Sequence, residues 1–187
     1  MVSTGTVSAQ AQAALDHFVA RSAKSSLAQE GGDLLVVPSD EIVGPEYEIV
    51  MLTVSSYLFR LVMFIHFDRT PATRNYFATL AGASGEVLSD ERLIDVVMER
   101  GNLFCGALNR DLSPFFPHIG MSTPCLLHRS CLDHVPTLQP AVARNYRAEA
   151  APGVVLHFTL ALCAFADLDF AHEADAVEEA SGELEMF

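Results

Sequence analysis

Positive charge is scarce in this 187-residue sequence, where 11 Lys and Arg stand against 24 Asp and Glu for a formal net charge of -13. Such a surface repels nucleic acid and anionic membranes, so neither is an expected partner. Long hydrophobic runs are missing as well. A membrane helix needs roughly 18 consecutive apolar residues. The longest candidate, YLFRLVMFIHF from Tyr57, is shorter and carries Arg60. The N-terminal MVSTGTVSAQAQAALDHF has neither a basic n-region nor an apolar h-region, so no secretory signal is visible and the expected compartment is the cytoplasm. Cys105, Cys125, Cys131 and Cys163 form no CxxC pair, which argues for free thiols. G-x-S-x-G, G-x-G-x-x-G and Walker A patterns are absent, which removes the usual serine-hydrolase and nucleotide-binding signatures.

What is present is a folding sequence. Half the residues are hydrophobic and the mean hydropathy is +0.27, so most of the chain is not disordered. The length suits one domain, expected over residues 1–171, that buries roughly 70% of its unfolded surface. An acidic tail is expected over residues 172–187. From Asp167 onward there are 8 acids and no Lys or Arg. The plain reading of the tail is solubility, although a short acidic helix after His172 and a docking peptide at the alternating GELEMF are also compatible with it.

The pattern along the chain predicts a helix over 8–29, ended by Gly31 and Gly32, and an edge strand or loop around Pro38 and Pro45. YEIVMLTVSS and YLFRLVMFIHFD form the best strand pair, and Thr70 with Pro71 starts a short helix that closes on Gly82. A longer helix runs from Ser89 or Asp90 to about Leu112, before Pro114 and Pro117. MSTPCLLH is extended, and AVARNYRAEA and VVLHFTLALCAF make a hairpin around Pro152-Gly153. The predicted class is α+β, with a mostly antiparallel sheet packed against long helices.

The long helix reads DERLIDVVMERGNLFCGALNR from Asp90. At 100° per residue, Ile94, Val97, Met98, Gly101, Phe104, Cys105 and Leu108 share one face, expected to pack on the sheet. Asp95, Glu99, Asn102 and Gly106 fall on a separate stripe, flanked by Leu103. The bland reading of such a stripe is solvation. Gly106 speaks against it, because a mid-helix glycine costs about 1 kcal/mol relative to alanine. One turn beyond Asn102, it removes bulk where a partner would have to approach.

Asp95-x3-Glu99-x2-Asn102, with Gly106 and then Pro124 22 residues after the asparagine, resembles the signature of the CheC/CheX/FliY phosphatases of bacterial chemotaxis. The order of predicted elements is also similar to that of CheX. No second E-x-x-N occurs, which points to the single-motif CheX type, and no FliN-like extension follows, which points away from FliY. Two departures stand out: the proline spacing is one shorter than the commonest form, and ERGNL replaces the usual ELGNM or EIANM, bringing Arg100 next to the motif.

The resemblance implies an enzyme that hydrolyses the aspartyl phosphate of a CheY-type receiver. By it, Asn102 positions the attacking water and Glu99 pairs with a receiver lysine. Asp95 supports the helix or contacts the partner, with a merely solvated residue as the plain alternative. On the helix geometry Leu103 and Gly106 are expected to meet the partner, and Pro124 is structural. An acyl phosphate is already activated, so such chemistry needs mainly in-line water and well-placed charge. No cofactor belongs to this chain; Mg²⁺ is expected on the phosphorylated CheY-like receiver. A homodimer is also implied, and a free edge in the strand-rich C-terminal half would serve it. The alternative is a non-catalytic CheX-like module that binds a receiver or another signalling protein.

His118, Cys125, His128, Cys131 and His134 invite a zinc reading, but their spacings lack a paired C-x2-4-C or H-x3-5-H knuckle, and no metal site is expected. His66 and His157 lie among apolar strand residues and are expected in the core or on a sheet face.

Overall fold

Three hydroxyl caps start the three α-helices of the computed structural model, which describes residues 3–41 and 43–172. Ser8 accepts from the Ala11 amide to open α1 (Ala9–Leu27). Thr70 accepts from Thr73 to open α2 (Pro71–Leu80), with Pro71 in the first turn, where its missing N–H costs nothing. Ser89 accepts from Arg92 to open α3 (Asp90–Leu112). The expected tail lies outside the described residues from 173 onward.

The strands are β1 (Val36–Pro38), β2 (Glu48–Ser55), β3 (Phe59–Phe67), β4 (Gly120–Met121), β5 (Cys125–Leu127), β6 (Val142–Ala151) and β7 (Val154–Ala164). They form one antiparallel sheet in the order β1-β6-β7-β3-β2, with β4 and β5 both paired to the outer side of β2. The α+β class is as expected, and so are the β2–β3 pair and the β6–β7 hairpin, whose turn places Gly153 at φ +75° after Pro152. The extended MSTPCLLH segment contains β5 and the last residue of β4, both paired with β2. The edge expected in the C-terminal half is not free throughout, because β1 covers β6 along Tyr146–Ala148 and β7 is interior.

Strand alternation separates two unequal cores. Leu61, Met63 and Ile65 of β3 stand beside Val54, Leu52 and Val50 of β2 and Leu162, Leu160 and Phe158 of β7, all buried under the helices. The opposite face carries a smaller cluster of Ile49, Val62 and Phe64. A 3-10 helix over Arg129–Leu138, absent from the expected elements, covers that cluster with Leu132, Val135 and Leu138. Its three-residue turn brings that i, i+3, i+6 series onto one side. No described helix is long and apolar enough to cross a membrane.

Candidate site on the long helix

Helix α3 is unbroken for 23 residues and is tied to its neighbours at several points. Near its start, Arg69 bonds Asp90 at 2.6 Å and also grips both carboxylate oxygens of Glu48 on β2 at 2.7 and 2.8 Å. Arg74 reaches Asp90 as well. These guanidiniums hold the Asp90 carboxyl below its ordinary range, the Arg74 hydrogen bond contributing most. Near its end, Arg21 from α1 pairs with Asp111. Between these ties the helix buries Leu93, Val96, Val97, Gly101, Phe104, Cys105, Ala107, Leu108 and Leu112.

Asp95, Glu99, Asn102 and Leu103 are exposed and Gly106 is half-buried, so the structure keeps the predicted stripe together on the outer side of α3. From Asp95 to Gly106 it spans about 16 Å along the axis, and Glu99 and Asn102 are neighbours one turn apart. The packed face differs from expectation. Ile94 and Met98 are only half-buried, whereas Leu93, Val96 and Ala107 are buried, because α3 packs against α1 and α2 as well as β2.

The two glycines of α3 have different physical causes. A Cβ on Gly101 would lie 3.3 Å from Leu52 Cδ2, 3.4 Å from Val50 Cγ1 and 3.7 Å from Pro124 Cγ. Helix and sheet meet there with no room to spare, and buried Pro124 wedges the helix just before Asn102. A Cβ on Gly106 would meet nothing within 4 Å. Internal packing therefore does not explain Gly106. Gly106→Ala is expected to stabilise the fold by about 0.5–1 kcal/mol, whereas Gly101→Leu should cost about 1–3 kcal/mol by overpacking. Urea unfolding of the two variants beside the parent checks both signs.

Arg100, the departure within the motif, does not face the stripe. Its guanidinium donates to the Leu80 carbonyl at the C-terminus of α2, where a cation also complements the helix dipole. Cys105 offers no nucleophile, since burial pushes its thiol up to about 11.

Among the described residues, no group of three or more His, Cys, Asp and Glu is placed to hold a metal ion. Cys125 is exposed on β5, Cys131 is half-buried against the smaller core, and His128 bonds Ser130 at 2.9 Å. His66 and His157 face each other across β3 and β7, both buried on the second face of the sheet.

No protein-family model matches the chain, and no curated protein matches it. Solved structures do. CheX from Vibrio vulnificus superposes at a TM-score of 0.56 with 13% identity, covering 80% of this chain and 96% of its own. CheX in a CheX–CheY–BeF3–Mg²⁺ complex from Borrelia burgdorferi gives 0.60 at 12% identity, covering 81% and 96%. The chain has a CheX/CheC-family fold. FliY from Thermotoga maritima is similar too, at 0.52 and 17% identity over 84% of this chain and 91% of that one. The CheX-like core thus extends over most of the sequence, with the motif helix as one of its packed elements.

Proposed function

We propose that this CheX-like chain is a phosphatase for the aspartyl phosphate of CheY-type receivers. The observation that carries the reading is the exposed line of Asp95, Glu99 and Asn102 on an intact, anchored helix, followed by a glycine with open space beside it. The likeness to CheX solved in complex with CheY supports the choice of partner.

In the proposed reaction, Asn102 Oδ1 accepts from a water while its Nδ2 donates to a phosphoryl oxygen. The water oxygen bonds to phosphorus as the bond to the receiver's aspartyl oxygen breaks. Inorganic phosphate and a free carboxylate result. Glu99 pairs with a receiver lysine and sets the register, while Asp95 and Leu103 add contacts around it. Mg²⁺ comes with the receiver. The chain is proposed to work as a homodimer, for which the outer edge of β1, beside exposed Leu35 and Val37, is a candidate surface.

The test is phosphate release from a labelled receiver, with and without the protein. Acceleration supports the phosphatase; binding without acceleration supports the non-catalytic module instead. Gly106→Leu should remove receiver binding while the variant keeps its helix content by circular dichroism, because only the open space is filled. A Gly106→Leu variant that binds normally would place the docking surface elsewhere.

A further inference from the structure

The face of the sheet opposite α3 holds a cavity that phosphate hydrolysis does not use. It measures about 550 Å³ and lies between β2, β3 and the 3-10 helix. Val62 and Phe64 form its floor, and Val135 and Leu138 close it from the 3-10 helix. That size is within the range of small-molecule sites, roughly 300–1,000 Å³. Its polar lining is selective. In a chain with 24 acids, no Asp or Glu among the described residues lines this cavity; its described ionisable side chains are Arg60, His134 and the Cys131 thiol. Arg60 is exposed, and its side chain makes no hydrogen bond or ion pair with another described residue. Arg21, Arg69, Arg74 and Arg147, by contrast, each hold a carboxylate.

We propose that this groove binds an amphipathic monocarboxylate, its apolar body on Val62 and Phe64 and its carboxylate on Arg60. The apolar floor rewards a hydrocarbon or aryl body through area removed from water. A guanidinium presents paired donors that match a carboxylate, and Arg60 has no side-chain partner among the described residues to give up. A described lining without acids spares an anion the repulsion it meets elsewhere on a surface of net charge -13. A cation of the same shape is disfavoured by Arg60, and a neutral analogue gains nothing from it.

The experiment is calorimetric titration of the full chain with decanoate below its micelle concentration, beside decylammonium and decanol. Decanoate should bind at least ~10-fold more tightly than either control. Arg60→Gln should lose that advantage, and Arg60→Lys, which keeps the charge but not the paired donors, should keep only part of it. Val135→Trp, which fills the groove, should abolish binding. Bound decanoate should also slow iodoacetamide labelling of Cys131, which lines the groove. Equal affinity for decanol and decanoate, or an Arg60→Gln variant that binds decanoate as the parent does, overturns the proposal. So does decanoate binding that appears only after residues 173–187 are removed, since the groove would then belong to the chain's own C-terminus. None of these outcomes bears on the α3 site.

Discussion

Replacing Asn102 with alanine is expected to slow dephosphorylation of a CheY-type receiver by ~100-fold or more, because losing about 2.7 kcal/mol of transition-state stabilisation has that consequence. The expectation follows from position. Asn102 is exposed on the outer side of α3, so its truncation should leave the fold unchanged. In the proposed scheme its amide acts on the water and on charge that develops in the transition state, so receiver binding should change little. Glu99→Ala should behave differently, weakening binding and rate together, because its lysine partner is engaged before reaction. Steady-state kinetics with each variant, beside a binding isotherm for an unreactive phosphoryl mimic, separates the two roles. If the parent binds the phosphorylated receiver without accelerating phosphate loss, and Asn102→Ala changes nothing, the phosphatase reading is wrong and the chain is a binding module.

The motif helix was legible because its signals are local. Ser89 marks the start, Pro114 follows the end, and a 3.6-residue period separates a packed face from an open stripe. The exact centre of the packed face was not legible. Leu93, Val96 and Ala107 are buried because α1 and α2 also pack on α3, and periodicity within one segment does not reveal which neighbours arrive from elsewhere. Arg100 shows the same limit. It adjoins Glu99 in sequence, yet consecutive helix residues diverge by 100°, and its side chain ends on the Leu80 carbonyl of α2.

The 3-10 helix escaped for a different reason. Pro136 lies inside it, and its apolar residues repeat every three positions, which matches neither the 3.6-residue period of an α-helix nor the alternation of a strand. The usable signal was the three-residue interval of Leu132, Val135 and Leu138, which covers the second face of the sheet. The placement of β4 and β5 on β2 depends on pairing across about 70 residues of chain, as in Met51 opposite Cys125. No local pattern encodes it.

Acidification from pH 7 to pH 5 should cost the fold about 2 kcal/mol through His66. Its side chain is fully buried, its Nε2 meets Thr159 Oγ1 at 3.0 Å, and its Nδ1 has no hydrogen-bond partner among the described residues. Burial disfavours the imidazolium, helped by the charges of His157 and Arg129, and lowers the pKa from 6.5 to about 3. The sign follows from proton counts. Between about pH 6.5 and pH 3 the unfolded chain binds a proton at this histidine that the folded chain refuses, so stability is full above the upper limit and falls as pH drops through the window. His157, lowered mainly by its own burial, acts in the same direction. Asp33, Asp90, Asp167 and Asp169 do not confuse the measurement. Their pKa values are lowered from 3.8, so they are ionised in both states above pH 5 and lose their contributions only in stronger acid. His66→Gln keeps a polar partner for Thr159 and removes the titration. Urea unfolding at pH 7 and pH 5 should show a clear loss for the parent and a much smaller one for the variant. Equal losses in both would show that the pH dependence arises elsewhere in the chain.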